Sequence, residues 1–361
     1  MILSDINLSK NPFKDTTPSR TSSLVWAGLP DLKRKIQQCY DECLEYESTQ
    51  LVLNWGPYGG GKTFSAYYFM EKYSTNTKIT QIYLRSPKDG NKTIKEFQKN
   101  IIDWLSFDTI CTHISQLILQ HGLDQFIQLL TPVASSEFAK AISLMGSGDS
   151  STKQLMNRYI YTGVTKSELK SLGLAKDISS DSDIIKFLSG LFACYAGHSP
   201  IYSGKLVLWL DEMEDIIYYP AKIYKAFSQV LRDLSDSFSD NLLMFFNFTL
   251  AEGEEQTIEM LLGTALWSRI TKKIKYAEIT EPAANSYVLE LLNNYYINPQ
   301  NHTIDPSIIS SIVKLIPKNS LTPREINKYF NSFTNYVLRK NINSIDLSVV
   351  NSWAEEFSEF N

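Results

Sequence analysis

One glycine-rich stretch carries the residues best suited to chemistry: GPYGGGKT, residues 56–63. It fits the spacing G-x-x-x-x-G-K-[ST] of a phosphate loop, in which successive backbone N–H groups surround an anion. The apolar run LVLNW precedes it, and the helical pattern FSAYYFMEKY follows it. A strand, a glycine loop and a helix N-terminus together form the setting that this kind of anion site requires. The stretch therefore predicts a binding site for a nucleotide.

Each residue of the loop has an expected part in that site. Lys62 would reach the β- and γ-phosphates of ATP, and the Thr63 hydroxyl would hold Mg²⁺. The glycines let the backbone approach a phosphate because they carry no Cβ. We assign nucleotide binding to the residues that share the loop: Gly56, Gly59, Gly60, Gly61, Lys62 and Thr63. The alternative is a glycine loop that matches the pattern by chance.

Two acids, Asp211 and Glu212, end the apolar run LVLWL. Open α/β sheets bind ligands at the carboxyl ends of their strands, so these acids would face the phosphates. Asp211 would hold Mg²⁺ directly or through water, and Glu212 would orient and polarise the attacking water. The alternative is a strand that ends in solvated acids, with Glu214 and Asp215 as further members of the group. Together with the loop, the pair predicts ATP hydrolysis.

Three more polar residues are candidates for the same site. Asn247 interrupts the apolar run LLMFFNF near its carboxyl end, where a water molecule or the γ-phosphate would satisfy a buried amide. Thr249 competes for that role, and a turn-forming asparagine is the alternative. Arg269 and Arg324 could each stabilise charge on the γ-phosphate, although an arginine considered by itself is most often part of a surface ion pair.

These residues need an α/β framework to hold them. Apolar runs predict five strands, at 51–55, 78–87, 206–210, 242–248 and 272–279. About 120 residues separate the second strand from the third, whereas one crossover unit needs only about 30. The periodicity of this stretch predicts helices at 93–105, 110–121, 123–130, 136–144, 153–161 and 182–196, with a flexible break at 146–152. We therefore expect a long helical insertion between the second and third strands.

The chain of 361 residues has room for two or three packed units. The first is a lead-in and helix at 1–50. The second is a P-loop core at 51–279, which contains the insertion at about 106–200. The third is a helical lid at 280–361, with predicted helices at 283–296, 306–316, 323–340 and 347–357.

Composition and charge favour a cytoplasmic protein that acts away from membranes. Hydrophobic residues make up 43% of the chain, and the net charge of −4 provides no overall basic surface for nucleic acid. The first ten residues lack the apolar core of a signal peptide, and no apolar run approaches the roughly 20 residues that span a bilayer. The cysteines lack zinc-site spacing, and we expect four buried free thiols: Cys39, Cys43, Cys111 and Cys194.

Taken in order, the segments GPYGGGKT, LVLWLDE, FFNF, WSRI and TPREI resemble the motifs of AAA+ ATPases over roughly residues 51–85 and 205–340. The resemblance implies an α/β AAA+ P-loop core with a five-stranded parallel sheet and a C-terminal helical lid. It implies that Asn247 is sensor 1, that Arg269 is an arginine finger, and that Arg324 is sensor 2 and reaches the γ-phosphate from the lid. It also implies a homo-oligomer with ATP at the subunit interfaces.

Within AAA+, the lead-in Asn11-Pro12-Phe13 and the Pro-Arg helix start are similar to origin initiators and transposition regulators. The segment YIYTGVTKSELKSLGL is similar, more loosely, to ATPases of bacterial phage-exclusion systems. This implies an ATPase that serves a DNA-directed machine of phage defence or of a mobile element, with DNA as a candidate ligand and a protein partner on the insertion. The alternatives are a non-hydrolysing nucleotide switch or scaffold, and a partner-binding regulator that never touches DNA.

Overall fold

The computed structural model describes residues 1–14, 18, 24–46, 48–90, 92–197, 201–238, 240–250, 255–301 and 303–359. Among these residues, five parallel strands form one sheet: β1 (Gln50–Gly56), β2 (Ile79–Arg85), β3 (Lys205–Asp211), β4 (Leu242–Thr249) and β5 (Ile270–Lys275). Their order across the sheet is β2-β3-β4-β1-β5. The prediction of a five-stranded parallel sheet is therefore confirmed, and β5 begins and ends earlier than the predicted 272–279.

Within the described residues, fifteen α-helices surround this sheet. The first nine precede β3: α1 (Pro30–Glu45), α2 (Lys62–Lys72), α3 (Thr93–Leu105), α4 (Phe107–His121), α5 (Leu123–Ala134), α6 (Ser136–Met145), α7 (Ser150–Tyr161), α8 (Lys166–Ser171) and α9 (Asp181–Ala193). The other six follow β3: α10 (Ala221–Asp236), α11 (Glu255–Trp267), α12 (Glu281–Asn293), α13 (Pro306–Leu315), α14 (Pro323–Lys340) and α15 (Leu347–Ser358). The sequence pattern misses α8, which has no buried face, and α11, which is interrupted by a φ of 71° at Gly263. The predicted insertion between the second and third strands is confirmed.

Different helices cover the two faces of the sheet, because successive strand residues point to opposite sides. On one face, Leu206 and Leu208 of β3 join the largest apolar cluster, which contains the insertion helices. On the other face, Val207 and Trp209 join a cluster that contains residues of α1 and α2. Asp211 continues this second series, so its carboxylate leaves β3 on the side of α2.

The helices between β2 and β3 are packed into the core of the molecule. Helix α9 contacts α3 and α10, while α5 and α6 contact α9. Gly190 of α9 permits this close approach, since a Cβ there would lie 2.5 Å from Ala134 Cβ and 2.6 Å from Ile142 Cδ1. The apolar side chains of these helices belong to the cluster that covers the sheet, so the insertion and the sheet share one hydrophobic core.

The connection at 146–152, predicted as a flexible break, has the structure of a capped turn between α6 and α7. A Cβ on Gly146 would lie 2.8 Å from Ile118 Cδ1 of α4, so the turn packs closely on the insertion. Asp149 caps α7, because its Oδ2 accepts the backbone N–H of Thr152 at 2.8 Å. The polar residues of this stretch therefore begin a helix instead of forming an open linker.

The C-terminal helices α12 to α15 enclose a second apolar cluster, to which the start of the chain also belongs. Ile6, Leu8 and Phe13 are buried in it. Leu8 pairs with Tyr296 in an isolated antiparallel bridge, and the ring of Phe13 lies 5.1 Å from the ring of Phe330. The lead-in is therefore packed on the C-terminal helices, at the other end of the sequence.

The four cysteines are all buried and unpaired, which confirms the prediction of free thiols. Burial raises the pKa of Cys39 to about 12 and that of Cys43 to about 11, so these thiols stay protonated and unreactive at neutral pH. Among the residues that the structure describes, no helix combines the length and the hydrophobicity needed to cross a membrane.

Gly190→Ala should lower the stability of the protein even though alanine favours a helix. Alanine gains about 1 kcal/mol of helix propensity, but a methyl group at this contact overpacks α5 and α6, which costs about 1–3 kcal/mol. We expect the midpoint of thermal unfolding to fall by a few degrees. Gly148→Ala is the control, because a Cβ there meets no atom of the described residues within 4 Å. Equal midpoints for Gly190→Ala and the wild type would contradict the close packing of α9.

Candidate nucleotide-binding site

A cavity of about 560 Å³ opens where the phosphate loop, the carboxyl ends of β3 and β4, the N-terminal segment and the C-terminal helices meet. Its volume is typical of small-molecule sites, which span roughly 300–1,000 Å³. Eight residues predicted from the sequence line it: Gly59, Gly60, Gly61, Lys62, Thr63, Asp211, Glu212 and Arg324. The other three, Gly56, Asn247 and Arg269, lie outside its wall.

The phosphate loop touches the C-terminal helices directly at Gly59. Its φ of +78° favours glycine, and a Cβ there would lie 2.7 Å from Arg324 Cβ and 3.1 Å from the Thr322 hydroxyl oxygen. The backbone N–H of Arg324 also points to the Gly59 carbonyl oxygen at 3.4 Å. A side chain at position 59 would therefore push the start of α14 away from the loop.

Lys62 is the first residue of α2, and its ammonium group folds back onto its own loop. Nζ donates to the carbonyl oxygens of Gly56 at 2.8 Å and Pro57 at 2.9 Å. Burial lowers the pKa of Lys62 to about 8, while the carboxyls of Glu214 and Asp211 oppose that shift. A phosphate could replace the two carbonyls, because charged acceptors form stronger hydrogen bonds to an ammonium group.

The buried carboxylate of Asp211 collects donors from three parts of the chain. Its Oδ2 accepts the Thr63 hydroxyl at 2.6 Å and the Tyr83 hydroxyl at 2.7 Å, and its Oδ1 accepts the backbone N–H of Glu212 at 3.1 Å. Burial and the charge of Asp211 raise the pKa of Tyr83, so its hydroxyl remains a donor. Tyr83 is absent from the sequence predictions, because a tyrosine in an apolar run does not show where its hydroxyl points.

Glu212 faces two cations near the end of β2. Its carboxylate lies 3.6 Å from Arg85 Nε and 3.7 Å from Lys88 Nζ. The side chain is 37% exposed, and ion pairs at such sites are worth at most about 1 kcal/mol. Its φ of 56° is left-handed, a conformation that is strained for glutamate and common at functional sites. Weak pairs of this kind leave the carboxylate able to turn towards a water molecule in the cavity.

Glu214, which the sequence placed only among solvated acids, is half-buried and lines the cavity. Its Oε2 accepts the backbone N–H of Thr249 at 2.8 Å. Burial raises the pKa of Glu214, while the Thr249 N–H and the charge of Lys62 act in the opposite direction. No sequence signal marks this position, because neighbouring acids in one short run do not reveal which of them points inward.

Asn247 lies beneath the cavity and is fully buried. Its Oδ1 accepts Nδ2 of Asn54 in β1 at 2.9 Å. Within the described part of the chain, its own Nδ2 has no hydrogen-bond partner. Thr249 lies two residues further along the same side of β4 and does line the cavity. A ligand that reaches this wall therefore meets Thr249 before Asn247.

The two arginines lie at opposite ends of the sheet. The guanidinium of Arg324 enters the cavity, 4.0 Å from the centroid of the Tyr58 ring. Arg269 precedes β5, so it lies at the amino end of the parallel sheet, whereas the phosphate loop follows the carboxyl end of β1. It forms a two-pronged ion pair with Asp236, at 2.5 Å (Nε–Oδ1) and 2.7 Å (Nη2–Oδ2). Arg269 is therefore not brought to the cavity of its own chain.

A segment that the sequence did not assign to the site, residues 24–29, contributes one wall of the cavity. The ring of Trp26 lies 5.6 Å from that of Phe64 in α2. The backbone N–H of Gly28 donates to Glu290 Oε2 of α12 at 2.7 Å. The segment therefore joins the helix of the phosphate loop to the C-terminal helices. It has no periodicity, so no sequence pattern could predict where it packs.

No protein-family model matches the chain, and no curated protein matches its sequence. Solved structures do match it in three dimensions. The ORC2 protein of Aeropyrum pernix, in ADPNP–ADP complexes, gives a TM-score of 0.54 at 10% identity over 95% of this chain and 71% of that chain. The ORC1 protein of A. pernix, in complex with DNA, gives a TM-score of 0.52 at 13% sequence identity, over 97% of this chain and 70% of that chain. Cdc6p of Pyrobaculum aerophilum gives a TM-score of 0.51 at 11% sequence identity, over 97% of this chain and 71% of that chain.

Sequence identities of 10–13% show the fold alone. The sheet order, the phosphate loop after β1 and the C-terminal helices all belong to that fold. The resemblance to AAA+ proteins of the origin-initiator group, inferred from the motifs, is thus confirmed for the fold. The chain has an AAA+ α/β fold, which it shares with these ORC and Cdc6 proteins.

Proposed function

We propose that the chain binds ATP with Mg²⁺ in this cavity and hydrolyses it to ADP and phosphate. The proposal depends on the hydrogen bond of 2.6 Å between the Thr63 hydroxyl and the Asp211 carboxylate. This bond joins the end of the phosphate loop to the end of β3, at the edge of the sheet where α/β folds bind ligands. Both residues offer hard oxygen atoms of the kind that Mg²⁺ prefers.

The cavity has a polar and an apolar part that suit the two halves of ATP. Backbone N–H groups of residues 59–63 would surround the phosphates at the start of α2. Lys62 would exchange the carbonyls of Gly56 and Pro57 for the β- and γ-phosphates. Residues 24–29, together with α12, would accept the base. Bound Mg²⁺ would neutralise charge on the phosphates.

Hydrolysis needs groups that act on the γ-phosphate and on the attacking water. Glu212 would leave its cation pairs and polarise the water. Arg324 would reach the γ-phosphate from the start of α14, as sensor 2. Asn247 would act as sensor 1 through the end of β4, since Thr249 forms the wall there. Phosphoryl transfer depends mainly on such positioning and charge stabilisation.

The function would require several copies of the chain. Arg269 lies too far from its own phosphate loop to act there, so it would serve as the arginine finger of the neighbouring subunit in a homo-oligomer. The working units would be the core at 51–279 and the lid at 280–361. Residues 1–14 would move with the lid, because Ile6 and Leu8 lie in its apolar cluster.

The wider role that we propose is regulation of a DNA-directed machine in phage defence or in a mobile element. The named initiator proteins support it, since one of them was solved in complex with DNA. The alternative is a switch or scaffold that binds a protein partner through the insertion and does not touch DNA. Leu119 and Leu123, where α4 meets α5, are 84% and 50% exposed and favour such a partner. Stimulation of ATP hydrolysis by DNA would support the first role over the second.

Lys62→Ala should weaken ATP binding. Hydrogen bonds to a charged group contribute about 1.5–3 kcal/mol, so we expect affinity to fall about 10- to 100-fold. The measurement is a titration with a fluorescent ATP analogue. Lys72→Ala is the control, because Lys72 lies at the other end of α2 and bonds to Gln37 on the surface. Unchanged affinity in Lys62→Ala would remove the phosphate loop from the proposed site.

Glu212→Gln should keep ATP binding and lose most of its turnover. The amide leaves the attacking water unpolarised, and a general base contributes about 10²–10⁴-fold in rate. Steady-state release of phosphate and a binding titration measure the two effects separately. Glu278→Gln, at an exposed site after β5, is the control. Wild-type turnover in Glu212→Gln would show that another group activates the water.

Arg269→Ala should bind ATP almost normally and hydrolyse it poorly, because the finger acts on a neighbour. An arginine finger contributes about 10³–10⁵-fold in rate. Mixing Arg269→Ala with Lys62→Ala should restore part of the turnover, since an intact Arg269 then faces an intact phosphate loop. Arg232→Ala is the control for the loss of an ion pair with Asp236, because Arg232 also lies near Asp236, at 3.9 Å. Absence of rescue in a mixture shown by sizing to co-assemble would contradict the role between subunits.

A further inference from the structure

The Asp211 carboxylate has an unusual distribution of hydrogen bonds over its two oxygens. Oδ2 accepts two hydroxyl groups, from Thr63 at 2.6 Å and from Tyr83 at 2.7 Å. Within the described part of the chain, Oδ1 accepts only the backbone N–H of Glu212, at 3.1 Å. A carboxylate oxygen has two acceptor positions, so Oδ2 is fully used and Oδ1 has one position left. The hydrogen bonds from the two hydroxyls therefore leave Oδ1 as the carboxylate oxygen that can contact a further ligand.

The ring of Tyr83 is held so that its hydroxyl has little freedom. The residue is 4% exposed. Its ring centroid lies 4.8 Å from that of Tyr67 in α2 and 6.0 Å from that of Trp104 in α3. Trp104 is itself fixed, because its Nε1 donates to the Gln81 carbonyl at 2.8 Å. Packing against α2 and α3 therefore fixes the direction of the Tyr83 hydroxyl, which points to Asp211.

Tyr83 also leaves Thr63 ready to bind a cation. The Thr63 hydroxyl donates its proton to Asp211 Oδ2, so both lone pairs of its own oxygen remain available. Tyr83 holds Oδ2 in place as the acceptor for that proton. Groups that orient a ligating carboxylate in this way commonly change metal affinity or activity about 10- to 100-fold.

We infer that Tyr83 is a positioning residue for the Mg²⁺ of this site: its hydroxyl locks Asp211 so that Oδ1 and the Thr63 oxygen face the ion or its bound water. The inference rests on the proposed function, because it assumes that the cavity takes a Mg²⁺–nucleotide complex. It concerns the ion alone, since Tyr83 does not line the cavity. Loss of the hydroxyl should therefore affect the part of nucleotide binding that depends on Mg²⁺.

The test compares Tyr83→Phe with Tyr67→Phe and the wild type. Each protein is titrated with a fluorescent ADP analogue in excess Mg²⁺ and again in EDTA. The ratio of the two affinities measures how far the ion strengthens nucleotide binding. We expect the affinity of Tyr83→Phe in EDTA to stay within about 2-fold of the wild-type value. The ratio of its affinities in Mg²⁺ and in EDTA should be about 10-fold smaller than that of the wild type. Tyr67→Phe should match the wild type, because it removes a hydroxyl from the neighbouring ring and keeps the hydrogen bond from Tyr83 to Asp211.

Binding of Mn²⁺ to the protein–ADP complex, followed by its paramagnetic resonance signal, gives a second readout that needs no catalysis. We expect weaker Mn²⁺ binding in Tyr83→Phe only. An unchanged Mg²⁺ effect in Tyr83→Phe overturns the inference. Equal losses in EDTA and in Mg²⁺ also overturn it, since the hydroxyl would then support the fold of the cavity. A wild-type chain that binds no nucleotide overturns the proposed function itself and this inference with it.

Discussion

The buried carboxylate of Asp211 is the group on which the rest of the site depends. A charge withdrawn from water is costly unless hydrogen bonds replace the lost solvent. Here the donors are Thr63 at the start of α2, Tyr83 on β2 and the backbone of Glu212. Each comes from a different part of the chain. The carboxylate is therefore stable only when β2 lies beside β3 and α2 lies over both, as the sheet order provides.

The same edge of the sheet is closed by groups that belong to the ends of the chain. Arg324 packs on Gly59, where no side chain could fit, and residues 24–29 join α2 to α12. These contacts connect the phosphate loop and its helix directly to the C-terminal helices. The C-terminal helices and residues 1–14 share one apolar cluster. Such contacts would suit the proposed ATPase, in which bound nucleotide would act on the C-terminal helices.

The insertion extends the core and also offers a new surface. Its helices share the apolar cluster of the sheet, and Gly190 lets α9 pack closely on α5 and α6. Movement of β3 or α3 would therefore be transmitted to the insertion through packed side chains. At its outer end, Leu119 and Leu123 are exposed. A partner bound there would contact helices that pack on the core of the sheet.

The sequence alone was enough to predict the local features: the strand, glycine loop and helix around residues 56–63, the acids after β3, and the parallel strands. It could do so because these depend on nearest-neighbour geometry, on glycine spacing and on hydrophobic periodicity. Three facts required the tertiary structure: that Thr249 rather than Asn247 lines the cavity, that Arg269 lies at the other end of the sheet, and that Tyr83 bonds to Asp211. Those facts depend on strand order and on side-chain direction. Packing between residues far apart in the chain sets both strand order and side-chain direction, so no local sequence pattern predicts them.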